Sequence, residues 1–312
     1  NRHLCPNAAM LVRGHGSRYI TVMTTQIQTL KIALAQLNPI VGDLSGNAEL
    51  LKQASAEAAA SGADIVVASE LFLTGYPPED LVLKRSFLTR VRQMVDDLVA
   101  LTADGGPALI FGAPMIEGGQ LHNSVVAADG GQMAVRHKHH LPNYAVFDEK
   151  RLFHAGPLPA PVEMRGVRLG LPICEDIWFG DVCAHLKAEG AELLVSPNGS
   201  PFERGKHDKR CAHAHARVGE TGLPLVYVNQ FGGQDELVFD GGSFVMAGDG
   251  EIAVQGAVWS SDIMMTDWHC GDGVWACSPQ TAASAPDDLA QIYQAAMLGL
   301  RDYVNKNGFP GV

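Results

Sequence analysis

Leu171-Pro172-Ile173-Cys174-Glu175-Asp176-Ile177-Trp178 decides the reading of the chain, because the apolar run from Val167 to Ile173 delivers a cysteine to the point where polar residues begin. A strand that ends in this way presents its thiol at the rim of an α/β sheet, where substrates reach the strand tips. The segment Asp181 to Gly190 behind it has helical composition. A lone cysteine in an apolar run also packs well as a small hydrophobe. The choice between a structural thiol and a nucleophile therefore rests on what the rest of the chain supplies.

Two further strand ends supply it. The run Ala63-Asp64-Ile65-Val66-Val67-Ala68-Ser69-Glu70 is an apolar strand that stops abruptly in a carboxylate, followed by the turn Thr74-Gly75-Tyr76-Pro77-Pro78. The strand Gln132 to Arg136 leads into His137-Lys138-His139-His140-Leu141-Pro142-Asn143-Tyr144. Glu70, Lys138 and Cys174 make a coherent set: a carboxylate to take the thiol proton, an ammonium to stabilise an oxyanion, and a sulfur to attack a carbonyl or nitrile carbon.

Around them, short apolar strands at Ile32 to Leu37, Pro107 to Met115, His122 to Ala128, Glu192 to Pro197 and Leu225 to Gln230 are predicted. Helices are predicted at Asn47 to Ala60, Leu81 to Leu101 and Lys206 to Thr221. This alternation implies an α/β domain with a layered sheet and helices outside. Gly232-Gly233-Gln234 and Asp240-Gly241-Gly242-Ser243 read as tight turns around a strand from Leu237 to Phe239. Asn1 to Leu30 has no sustained period and reads as a tail, with Met23 as a second plausible start. Asp262 to Pro286 reads as an irregular connector, and a last helix from Asp287 to Asn307 carries Leu289, Ile292, Tyr293, Ala296, Leu300 and Val304 on one face. The expected division is a tail over 1–30, a catalytic domain over 31–265, and a connector with its helix over 266–312.

With 312 residues, 46% of them hydrophobic, the chain has ample material for a large core. A net charge of -11 and the absence of a basic stripe argue against a nucleic-acid partner. Six cysteines without a C-x-x-C pair suit reduced thiols. No run reaches the length of a membrane span, so the expected location is the cytoplasm. Close-spaced histidines raise a metal reading. On an extended chain, however, His137 and His139 point away from His140, no nearby Cys or Asp completes a set, and His213 and His215 do not share a helix face. No metal is expected.

At these residues the chain resembles the nitrilase superfamily, marked by a Glu, Lys, Cys triad in this order on a four-layer α-β-β-α sandwich. The stretches Ser69 to Leu81, Lys138 to Arg151, Pro172 to Trp178 and Gly232 to Gly241 are similar, more closely, to the amidohydrolase domain of bacterial glutamine-dependent NAD synthetases. Ala145 stands where that family would carry glycine. The resemblance implies Glu70 as general base, Cys174 as nucleophile, and Lys138 with the Glu175 backbone N–H as oxyanion hole. It implies Glu149 as a second glutamate that orients Lys138 or the attacking water, and Tyr76, Tyr144, Glu175, Trp178 and Ser200 as substrate-binding residues for glutamine. In the resembled family the stretch Ala296 to Val312 leads into an ATP-binding synthetase domain with an S-G-G-x-D-S loop. The sequence stops before such a loop, so ATP and magnesium are expected on a domain outside it and no cofactor on these residues. Assembly into a homo-oligomer is a further expectation of the resemblance.

Overall fold

The computed structural model describes residues 8–13, 19–24, 28–281, 283 and 286–312. Its centre is two sheets face to face. The larger has seven strands in the order Val274–Cys277, Asp262–Gly271, Gln28–Gln36, Ile65–Val67, Ala108–Glu117, Gln120–Asp129 and Gln132–His137. The smaller has six, in the order Ile252–Gln255, Phe244–Met246, Leu225–Asn229, Leu193–Asn198, Val167–Gly170 and Val162–Met164. Two central strands near the site, Ile65–Val67 and Leu193–Asn198, run parallel to both of their neighbours, as a buried central strand does.

Side-chain alternation builds the layers. Ile32, Leu34, Ile65, Val67 and Ile110 of the larger sheet meet Leu169, Leu193, Val195, Val226 and Val245 of the smaller. Their neighbours Ala33, Ala35, Val66 and Leu109 face the other way, onto Leu51, Ala54 and Ala58 of the helix Leu44–Ala60 and Val95 and Leu98 of the helix Arg85–Leu101. Alanine on both helix and strand lets the backbones approach. Asp43 opens the first of these helices by accepting the Gly46 N–H at 2.9 Å. On the far side, Val182 and Leu186 of the helix Gly180–Ala188 and Ala214 and Val218 of the helix Lys206–Thr221 cover Leu194, Leu225 and Tyr227. The order is helix, sheet, sheet, helix, as expected.

The structure corrects three readings. Residues 262–277, expected as connector, are two strands of the larger sheet: Asp262–Gly271 pairs along its whole length with Gln28–Gln36 and buries Met264, Thr266, Trp268 and Cys270 on alternate positions. Gln28 to Leu30, expected in the tail, begin that partner strand. Before them, Ala8–Arg13 and Tyr19–Thr24 pair antiparallel, whereas the rest of the expected tail, including Cys5, lies outside the described residues. Gly232 to Gln234 are strand rather than turn, paired with Leu237–Asp240, and the reversal falls at Asp235, which takes φ +49°.

The helix Asp288–Lys306 docks through a face other than its apolar stripe. Asp302 is buried and accepts from Asn38 Nδ2 at 2.7 Å and from the Gly233 N–H at 2.8 Å, with Leu298 packed beside it. The predicted stripe faces outward, with Leu289 78% and Tyr293 62% exposed. No helix among the described residues is long and apolar enough to cross a membrane.

Candidate active site

Glu70, Lys138 and Cys174 leave three different strands and meet between the two sheets. Glu70 follows Ile65–Val67, Lys138 follows Gln132–His137, and Cys174 follows Val167–Gly170 in a 3-10 turn spanning Cys174–Trp178. The three are 1%, 1% and 6% exposed, so their charges act with little solvent screening. Lys138 Nζ donates to Glu70 Oε1 at 2.6 Å and to Glu149 Oε1 at 2.9 Å. An ammonium has three donors. Two are held by carboxylates, so one remains to donate.

Burial alone would lower the Lys138 pKa, but the adjacent charges of Glu149 and Glu70 reverse this and keep it well above its ordinary value. Lys138 is therefore a fixed cation. Burial, and after it the Glu70 charge, push the Cys174 thiol well up, against the pull of Lys138. The sulfur rests as a thiol, and a carboxylate near it is the kind of group that can take its proton. Cys174 takes φ +45°, a left-handed backbone that costs a non-glycine residue about 1–3 kcal/mol. The sharp turn sets the residue beyond the line of its strand, at the junction with the 3-10 turn.

Glu70 is fixed on every side. Its Oε1 also accepts from Asn123 Nδ2 at 2.8 Å, and its Oε2 accepts the Gly199 N–H at 2.9 Å, which reaches over from the smaller sheet. Its turn sits on Gly112, where a Cβ would lie 2.0 Å from the Leu71 nitrogen and 2.6 Å from the Glu70 carbonyl carbon. Backbone atoms cannot yield as a flexible side chain does. Gly112→Ala is therefore expected to destabilise the fold by about 1–3 kcal/mol, the usual range for overpacking, and to lower activity by displacing Glu70. Thermal unfolding and turnover measured together check this, and an unchanged Tm would contradict the packing shown.

Glu149 opens a short helix, Glu149–Leu152, and takes part in the same network. Besides Lys138 it accepts from Tyr76 Oη at 3.0 Å and Asn123 Nδ2 at 3.3 Å. Burial and, opposing Lys138, the Glu70 charge push its pKa up to about 7. All three donors suit the ionised form, so activity is expected to rise with pH through about 7, and this inflection is expected to vanish in Glu149→Gln. Stability runs the other way. Between the unfolded value of about 4.3 and about 7 the native state holds a proton that the unfolded chain has lost, so stability falls as pH rises through that window. Unfolding curves from pH 5 to 8 on both proteins check the sign.

The substrate-binding candidates divide. Tyr144 donates to both oxygens of Glu175, at 3.0 and 2.9 Å, beside the nucleophile and with its ring 45% exposed, so this pair lies at an open edge. Tyr76 is buried, its hydroxyl donates to Glu149 Oε1, and Gly199 packs on its ring. Ser200 Oγ accepts from Arg210 Nε at 3.0 Å, inside a buried ion pair in which Arg210 also grips Asp240. Trp178 lies tilted against His213 with ring centroids 4.0 Å apart, and Lys206 Nζ lies 5.0 Å over its ring.

Sequence reasoning missed Asn123, which bridges the two glutamates, and Asp176, which joins two catalytic loops. Asp176 accepts from the backbone N–H groups of Ile173, His139 and His140 at 2.9, 3.1 and 2.8 Å. It thereby holds the residues next to Lys138 against those next to Cys174.

A buried Glu, Lys, Cys cluster at the strand ends of an α-β-β-α sandwich defines a cysteine hydrolase of the nitrilase type. The chain belongs to the carbon-nitrogen hydrolase family, which matches residues 31–271. It is 47% identical over 283 residues to the glutamine-dependent NAD(+) synthetase of Rhodobacter capsulatus, covering 90% of this chain and 51% of that protein. It is 34% identical to the enzyme of the same name from Aquifex aeolicus, covering 91% and 55%. The chain thus spans about half the length of these curated relatives. Among solved structures, the glutamine-dependent NAD+ synthetase of Acinetobacter baumannii in complex with ADP superposes with a TM-score of 0.84 at 35% identity, over 91% of this chain and 54% of that one. An amidase mutant from Nesterenkonia sp. AN1, with the acetamide moiety of fluoroacetamide added covalently at the active-site cysteine, superposes with a TM-score of 0.69 at 27% identity, over 78% and 90%.

Proposed function

We propose that this chain is the ammonia-supplying half of a glutamine-dependent NAD synthetase. The reading is carried by a complete Glu70, Lys138 and Cys174 cluster in a chain 47% identical to an enzyme of that name over nine-tenths of its length. Glu70 takes the Cys174 proton as the sulfur attacks the side-chain amide carbon of glutamine. The free N–H of Lys138 and the Glu175 backbone N–H receive the developing oxyanion. Glu70 then returns the proton to the departing nitrogen, and ammonia leaves a thioester. Water, deprotonated by Glu70, attacks the thioester carbonyl to release glutamate and restore the thiol, so one glutamine and one water give one glutamate and one ammonia.

The Tyr144 and Glu175 pair suits the α-ammonium of the substrate. Glu175 is pushed up from its ordinary range by burial, so a cation beside it would be welcome. The ammonia would amidate deamido-NAD to NAD on a synthetase domain, where ATP and magnesium belong in this reading. The outward stripe of the helix Asp288–Lys306 is the surface such a domain would cover. The protein would work in the cytoplasm as a homo-oligomer. Supplying a synthetase domain, in the same chain or in trans, is expected to raise glutamine turnover and make it respond to ATP. Unchanged turnover would remove the coupling from this account.

A stand-alone amidase is the second reading, favoured by the superposition on an amidase covering 90% of that protein's own length. Rates with glutamine, asparagine and an aliphatic nitrile separate the two. A site that pairs a zwitterionic head group leaves its polar groups unsatisfied with a nitrile. Glutamine should be turned over well and the others poorly, whereas a faster rate with the nitrile or a simple aliphatic amide would favour the amidase.

A further inference from the structure

The sequence gives no partner for the histidines after Lys138, but the fold brings one. Asp181, in the first turn of the helix Gly180–Ala188, places its carboxylate 2.8 Å from His140 Nε2. A ring nitrogen of His139, one of His140 and a carboxylate oxygen of Asp181 all lie within 4.8 Å of one another. We propose that His139, His140 and Asp181 form a binding site for one divalent transition-metal ion, with zinc the best fit, beside the catalytic cluster and separate from it.

Three features support a built site. The His139 Nδ1 lies 2.7 Å from the Gly156 carbonyl oxygen, which can only accept, so Nδ1 carries the proton and Nε2 keeps a lone pair. An imidazole oriented by a carbonyl in this way is the usual outer support of a metal ligand. The His140 ring is fixed from two directions, stacked on Phe179 with centroids 4.2 Å apart and set edge-on to His139 at 4.7 Å. The backbone N–H groups of both histidines are pinned by Asp176. The two rings are thus held in place, and Asp181, which now accepts from His140 Nε2, would exchange that hydrogen bond for the ion as the proton leaves to solvent, with its carboxylate exposed as an entry point.

The donor set selects the ion. Two imidazoles and one carboxylate suit zinc, cobalt or nickel over magnesium or calcium, which prefer all-oxygen shells. Zinc bonds of about 2.0–2.1 Å set tetrahedral ligand atoms roughly 3.4 Å apart, within reach of small side-chain rotations. Three protein ligands leave one position for water. A bound ion would tie the residue after Lys138 to the helix that follows the Cys174 turn.

Cobalt titration of the tag-free 312-residue chain tests this, followed by visible and near-ultraviolet absorption, with zinc as competitor. The expected result is saturation at one equivalent with d–d bands of a nitrogen and oxygen site, no thiolate-to-cobalt band, and displacement by zinc. The spectrum should persist in Cys174→Ala, and affinity should fall about tenfold or more in His140→Ala and in Asp181→Asn. No saturable binding, binding lost in Cys174→Ala, or affinity undiminished in both His140→Ala and Asp181→Asn would overturn the proposal. Glutamine turnover is not the readout, so the site and the proposed activity stand or fall apart.

Discussion

Replacing Cys174 by alanine is expected to lower glutamine turnover by about 10⁴-fold or more, the scale seen when a covalent nucleophile is removed. None of the other described cysteines is placed to substitute. Cys183 and Cys211 pack with the outer helices, and burial pushes their thiols up to about 12 and about 11. Cys270 and Cys277 lie in the core between the sheets. The substitution removes one buried sulfur and keeps a non-glycine residue at φ +45°, so the fold should persist. Initial rates alongside Tm check the result, and a variant retaining a tenth of the activity would exclude Cys174 as nucleophile.

Lys138→Met is expected to reduce kcat by about a hundredfold or more, the loss that follows removal of one oxyanion donor, with a much smaller change in KM. A donor aimed at charge that develops only during attack acts on the transition state and little on substrate binding. The change also leaves Glu70 and Glu149 buried without their shared counter-charge. Breaking such a pair costs about 3–5 kcal/mol, eased here by protonation of one carboxylate, so Tm should fall as well. Unchanged kcat with a raised KM would reassign Lys138 to substrate binding.

The fold and the meeting of Glu70, Lys138 and Cys174 were legible because both are written in strand ends. An apolar run that stops in Glu70 or in Cys174, and a strand that leads into Lys138, announce the rim of a sheet, and all three do meet there. The supporting groups leave no such mark. Asn123 is one amide inside the strand Gln120–Asp129, and its value comes from bridging two glutamates, one 53 and one 26 residues away. Asp176 looks like a polar residue after a nucleophile, and only the folded chain shows it holding His139 and His140. The partners of Tyr76 and Ser200 were equally invisible, since Glu149 and Arg210 reach their hydroxyls from 73 and 10 residues away. The strand Asp262–Gly271 was readable in principle, for Met264, Thr266, Trp268 and Cys270 alternate with more exposed neighbours. Trp268 and Cys270 in this strand, Trp275 and Cys277 in the next, and the turn at Asp272 and Gly273 between them disguised that period as irregularity.

Mass spectrometry after exposure to a glutamine analogue with an electrophilic carbon at the side-chain amide position tests the central claim most directly. One adduct per chain is expected, mapped by peptide digestion to Cys174, formed more slowly when glutamine competes and lost in Cys174→Ala. An adduct on Cys183 or Cys211, or labelling that glutamine does not slow, would contradict it.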